Sequence, residues 1–109
     1  VDALCERGAE VLQIKSTEDA PDVITALDVL AERDIIHVLV EGGSRLAGSF
    51  LKQRAVDRVT VFTAPKMIGG YPSVPDIGIE TMGETLTFEN VVEETVGSDR
   101  LLIADVKYP

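Results

Sequence analysis

The segment Ile35-Ile36-His37-Val38-Leu39-Val40 runs without a break into Glu41-Gly42-Gly43-Ser44, and a helical pattern follows from Arg45 to Leu51. Few folds accommodate that succession. His37 is the only polar member of the run before Glu41. Such a run reads as a strand buried on both faces, and strands of that kind belong to the centre of a largely parallel sheet. Leu46, Phe50 and Leu51 are spaced to share one helix face. Strand, tight turn and helix in this order aim backbone N–H groups at an anion. Paired glycines admit a phosphate where any Cβ would obstruct it. Glu41 then stands at the carboxyl end of a central strand, where open α/β sheets bind their ligands.

Around this corner the pattern predicts an α/β chain. Val1 to Arg7 reads as the end of a helix, with Gly8 as its left-handed stop. A strand is expected over 9–14, a polar loop over 15–20 and a helix over 21–33. In that helix Val23, Leu27, Leu30 and Ala31 mark the inner face. Pro21 falls where a first-turn proline is tolerated, with Ser16 or Asp19 as the nearby cap. A strand over 36–41, a helix over 44–53 and a strand over 58–64 follow, with a right-handed βαβ crossover. Pro65 to Gly83 is proline- and glycine-rich and aperiodic, so a loop with at most a short turn is expected. Leu86–Val96 and Arg100–Tyr108 are strand patterns joined at Gly97-Ser98-Asp99, and the broken alternation at Asn90 to Glu94 predicts a bulge.

Composition narrows the function. The 109 residues suffice for one domain, and 45% apolar with 27% charged residues is a globular balance. No apolar run approaches the roughly 20 residues that span a bilayer, so no membrane partner is expected. The formal net charge of −9 argues against a nucleic-acid partner, because phosphates are repelled. A lone cysteine, Cys5, cannot form an internal disulfide, which fits a reduced, cytoplasmic setting. The chain starts at Val1 rather than Met, so a piece of a longer protein is expected.

Glu41-Gly42-Gly43-Ser44 is the strongest candidate site, against the alternative that the glycines serve only a structural turn. The spacing matches neither a G-x-G-x-x-G fingerprint nor a P-loop. Glu41 favours the functional reading, since a carboxylate at a strand end costs desolvation unless it is used. Lys66-Met67-Ile68-Gly69-Gly70-Tyr71 holds a second glycine pair, either a surface loop or a second wall of the same cleft. His37, inside the expected strand, is read as structural. Cys5 is read as an inert or partly exposed thiol. No spacing suggests a metal site.

The string Val38-Leu39-Val40-Glu41-Gly42-Gly43-Ser44-Arg45-Leu46-Ala47-Gly48-Ser49-Phe50-Leu51 closely resembles the reductase domain of bacterial riboflavin biosynthesis. That domain is usually the C-terminal part of a bifunctional pyrimidine deaminase/reductase. The likeness continues through Val56-Asp57-Arg58, Ala64-Pro65-Lys66-Met67-Ile68-Gly69-Gly70 and Val96-Gly97-Ser98-Asp99-Arg100-Leu101-Leu102. It implies a dihydrofolate-reductase-like fold: a mixed sheet flanked by helices, with a C-terminal antiparallel ribbon. It also implies an oxidoreductase that uses NADPH to reduce the ribose of a phosphoribosylamino-pyrimidine to a ribityl chain. By the same resemblance Gly42, Gly43 and Ser44 lie against the cofactor's pyrophosphate, and Arg45 and Leu46 complete the cofactor contact. Glu41 is the implied catalytic residue, facing the sugar or the nicotinamide. A cis peptide bond joins Gly42 to Gly43 in the related fold and is expected here.

Reductase domains of this kind run to roughly twice the present length. Residues 1–109 are therefore expected to form the C-terminal half of one domain, inactive alone and with an exposed seam in the sheet. Such a piece is expected to form a homodimer through the Leu86–Tyr108 ribbon, the seam, or both. Two other readings stand beside this one: a reductase of the same fold acting on a pterin or other substrate, and a non-catalytic dimerisation segment.

Overall fold

The computed structural model describes residues 1–17, 20–70 and 72–109, which divide into two compact units, Val1–Val38 and Leu39–Pro109. The first unit opens with α1 (Asp2–Cys5). Gly8 takes φ 85°, and Ala9 N–H reaches Leu4 C=O at 3.1 Å while Gly8 N–H reaches Cys5 C=O at 3.0 Å. That pair of bonds is the glycine-stopped helix end expected from the sequence. A two-residue antiparallel pair follows, β1 (Ser16–Thr17) with β2 (Ala20–Pro21).

Next comes α2 (Val23–Ala31), which begins two residues later than expected. Pro21 belongs to β2, and Asp22 rather than Ser16 is the cap; Asp19 lies outside the described residues. Asp22 accepts from Thr25 N–H at 3.1 Å and from Thr25 Oγ1–H at 2.7 Å. The Thr25 hydroxyl, helped by the backbone N–H groups, holds the Asp22 carboxyl below its ordinary value. Val23 is fully buried, Leu27 and Leu30 are half-buried, and Ala31 is exposed. The expected inner face is therefore real but covered only at its start.

Two expected strands do not form. Residues 9–14 and 36–41 carry no ladder hydrogen bonds, and the right-handed βαβ crossover they were to build is absent among the described residues. The reason is physical: a strand exists only through a neighbour that satisfies its N–H and C=O groups. None of the described strands pairs with either run, and Ile36 and Leu39 are left 85% and 80% exposed. The largely parallel sheet is replaced by a wholly antiparallel one. His37 is likewise exposed rather than set in a ladder. Glu10 pairs with Arg33 at 2.6 Å, but both are solvated and the pair contributes little.

In the second unit α3 (Ser44–Lys52) precedes a three-stranded antiparallel sheet of order β3-β5-β4, built from β3 (Arg58–Thr63), β4 (Thr87–Val96) and β5 (Asp99–Lys107). Central β5 carries the one fully buried apolar residue described in this unit, Ala104. Val96 pairs with Asp99, so Gly97-Ser98 is a two-residue turn, shorter than expected. Gly97 supplies the positive φ of 62° that such a turn demands at its first position. The expected bulge is present between Glu89 and Val92, with Asn90 at φ 51°.

One carboxylate ties the three strands together. Asp105 on β5 accepts from Arg58 Nε of β3 at 2.8 Å and from Asn90 Nδ2 of β4 at 2.9 Å. Arg58 first, then Asn90, holds that carboxyl below its ordinary value. Tyr108 closes the unit: its hydroxyl accepts from Val56 N–H at 3.0 Å and faces Val56 C=O at 3.2 Å, under the Arg54 guanidinium. Described residues 64–70 and 72–86 carry no strand, where a loop was expected over 65–83, and one short 3-10 turn forms at Met82–Glu84. Glu84 caps that turn by accepting from Thr81 N–H and Glu80 N–H at 2.9 and 3.0 Å.

Candidate functional site

The corner from Glu41 to Leu46 lies within the second unit. Gly43 is the N-cap of α3, with φ −60° and ψ 173°, and no side chain caps the helix. Its C=O accepts from Leu46 N–H at 3.1 Å and Ala47 N–H at 3.2 Å. The N–H groups of Ser44 and Arg45 lie ahead of the first intrahelical bond, at the positive end of the helix dipole. The first turn carries no acid, and Arg45 adds a cation. Glu41 is exposed one residue before the glycines.

The two glycines have different physical reasons. Neither has positive φ, so neither is required by backbone conformation. A Cβ on Gly42 would lie 2.5 Å from Leu46 Cδ2, 3.3 Å from Leu46 Cβ and 3.4 Å from Leu46 Cγ. Gly42 is bare because Leu46 is seated over it. A Cβ on Gly43 would meet nothing within 4 Å. Nothing described in the chain requires Gly43 to be a glycine. Sequence spacing could not separate these cases; the signal was the apolar residue four places after Gly42, which the helix pattern absorbed as a core position.

The expected cis bond between Gly42 and Gly43 is absent, for every described peptide is trans. A non-proline cis bond costs about 2.5–4 kcal/mol and needs surroundings that enforce it. Open space around Gly43 provides no such enforcement.

The second glycine pair sits in an exposed loop. Gly69 and Gly70 have φ 61° and 105°, and Met67 and Ile68 are 98% and 95% exposed. No described hydrogen bond or ion pair joins this loop to the corner. Tyr71 lies outside the described residues. Cys5 is exposed, as read from the sequence. A shallow cleft of about 220 Å3 lies instead at the C-terminal end of α3, lined by Leu51, Lys52, Arg54, Ile77, Leu86 and Tyr108. In it the Arg54 guanidinium lies over the Tyr108 ring, 5.9 Å from its centre. Among the described residues no group of three or more His, Cys, Asp or Glu gathers as metal ligands. No described helix is long and apolar enough to cross a membrane.

Known proteins resemble the chain in sequence and in fold. The chain is 37% identical over 99 residues to the riboflavin biosynthesis protein RibD of Aquifex aeolicus, covering 91% of the chain and 27% of that protein. It is 36% identical over 87 residues to RibD of Mycobacterium tuberculosis, covering 79% and 24%. It is 32% identical over 102 residues to the chloroplastic riboflavin biosynthesis protein PYRR of Arabidopsis thaliana, covering 91% and 16%. The chain thus spans about a quarter of the bacterial relatives' length. A solved structure of Acinetobacter baumannii RibD superposes with TM-score 0.75 at 23% identity, over 98% of this chain and 29% of that one. Residues 6–102 match the model of the RibD C-terminal domain, and the chain belongs to that family.

Proposed function

We propose that residues 1–109 form the C-terminal half of a dihydrofolate-reductase-like reductase domain within a longer riboflavin-biosynthesis protein. In this reading the Glu41–Leu46 corner holds NADPH for reduction of the ribose of a phosphoribosylamino-pyrimidine. The observation that carries it is Gly43, a helix-capping glycine that neither φ nor packing requires. Glycine is a favoured N-cap in its own right, and its open Cβ position beside uncapped N–H groups also leaves room for an anion to approach. The residues suit a dinucleotide's pyrophosphate: uncapped N–H groups at Ser44 and Arg45, a bare Gly43, and no acid in the first turn. The relatives' shared name, riboflavin biosynthesis protein, supports the pathway.

NADPH, when bound, supplies the hydride. The chain's own work is to hold and orient. Ser44 and Arg45 donate N–H groups to phosphate oxygens, the Arg45 guanidinium adds positive charge, and Leu46 lends apolar surface beside them. Glu41, on the same turn, accepts hydrogen bonds from the sugar hydroxyls and sets the ribose against the cofactor. In the full-length protein, Glu41→Gln is expected to keep NADPH affinity within about twofold and to lower kcat about a hundredfold, the scale of a lost acid–base or orienting group. Turnover at the parent rate removes Glu41 from the chemistry. Loss of NADPH binding moves it into the cofactor site instead.

The second proposal concerns association, in the cytoplasmic setting that the lone exposed Cys5 suits. Strand β4 is exposed along its whole length and, among the described residues, pairs only with β5, and Phe88, Val91, Val92 and Val96 are each close to half exposed. An unpaired edge beside uncovered apolar side chains templates pairing with another strand. We propose a homodimer through the Leu86–Tyr108 ribbon. Light scattering on the full-length protein is expected to give twice the monomer mass; a strict monomer at high concentration rejects the proposal.

A further inference from the structure

We infer that Leu46 is a positioning residue of the corner, acting on the phosphate-facing peptides through its seat on Gly42. This rests on the reading of the corner as a cofactor site and adds a role for a side chain within it. Leu46 N–H is already committed to Gly43 C=O at 3.1 Å, so its backbone offers no donor to a ligand. Leu46 is 36% exposed, and its side chain occupies the space over Gly42, with Cδ2 2.5 Å and Cγ 3.4 Å from where a Cβ on residue 42 would stand. Both attachments run from the first turn of α3 back to the two residues before it: the N–H to Gly43, the side chain to Gly42. Together they hold the incoming chain against the helix start. The Gly42–Gly43 peptide is then presented in one orientation, and the Ser44 and Arg45 N–H groups converge on one point. Without the side-chain seat, the Gly42 peptide is free to rotate and the donors must be ordered again at each binding event.

The inference predicts coupling, because Gly42 and Leu46 form one contact. In the full-length protein, Gly42→Ala and Leu46→Ala are each expected to raise the KM and Kd for NADPH about tenfold, which corresponds to about 1.4 kcal/mol. The value of kcat at saturating NADPH should stay within twofold. The double variant Gly42→Ala/Leu46→Ala should bind no more weakly than either single variant, since each change destroys the same seat. Independent effects would multiply to about a hundredfold. Thermal melting of each variant registers global folding, and Leu46→Val, which removes both Cδ methyls but keeps a branched apolar side chain, replaces Leu46→Ala if that variant does not fold.

Multiplying effects, or a Leu46→Ala or Leu46→Val protein that binds NADPH as tightly as the parent, overturns the inference. Gly43→Val measured alongside separates the two levels of the argument. If it loses NADPH while Gly42→Ala and Leu46→Ala do not, the positioning role alone fails. If Gly43→Val also binds normally, the cofactor reading fails with it.

Discussion

Gly43→Val in the full-length protein is expected to abolish NADPH binding while the protein stays folded. Folding should survive because Gly43 has φ −60° and ψ 173°, an extended conformation open to any residue, and because an added Cβ meets nothing within 4 Å. Valine is a poorer N-cap than glycine, at a cost of about 1 kcal/mol that leaves the fold standing. On the proposed reading, binding should fail because the branched side chain takes up space that a phosphate approaching the Ser44 and Arg45 N–H groups would need. Hydrogen bonds to a charged partner are worth about 1.5–3 kcal/mol each, so losing two weakens binding by about a hundredfold or more. Fluorescence titration with NADPH, with melting temperature as the control, reads both halves. Undiminished affinity would reduce the corner to a turn. Lost affinity together with a collapsed fold would mean that Gly43 has a structural duty.

The second large effect is expected at Gly48. It is the only residue of α3 that is fully buried, and a Cβ there would lie 2.6 Å from Pro75 Cγ and 3.0 Å from Pro75 Cδ, with Ile77 Cγ2 at 3.9 Å. Glycine in a helix interior costs about 0.8–1.0 kcal/mol relative to alanine, so propensity alone says that replacement should stabilise. The contact with Pro75 reverses the sign. Pro75 is a rigid ring rather than the end of a flexible side chain, and overpacking of this kind typically costs about 1–3 kcal/mol. Gly48→Val is therefore expected to lower the urea midpoint and to release Pro75 and Ile77 from α3, visible as faster proteolysis beside them. Pro75→Gly in the same protein should recover part of the loss. A Gly48→Val protein as stable as the parent would show that Pro75 does not press on the helix as described.

Some of this protein was legible from the sequence alone. The α2 and α3 helices follow from apolar spacing, because helix hydrogen bonds close within the segment and the side-chain period reports which face is covered. The β4–β5 hairpin was legible for a similar reason: Gly97 offers the positive φ its turn needs, and the broken alternation after Glu89 marks the bulge. The family was legible in the string around Glu41-Gly42-Gly43-Ser44, where order and spacing are specific.

Tertiary structure decided what depends on distant partners. Residues 9–14 and 36–41 have strand composition, yet composition cannot supply the neighbouring strand that turns an apolar run into a ladder. Nothing in the sequence singles out Asp105, and only the placing of β3 and β4 brings Arg58 and Asn90 to its two oxygens. Asp34 and Arg54 close α2 and α3 in the left-handed conformation, at φ 61° and 57°, where glycine would be the expected residue. Each is held by a bond that spans the helix end, Ile35 N–H to Leu30 C=O and Ala55 N–H to Phe50 C=O. Gly42 and Gly43 are identical and adjacent as letters. Only the path of Leu46 back over the first of them separates a glycine in close contact from one whose Cβ position is open, because a missing Cβ has meaning only through what occupies its place.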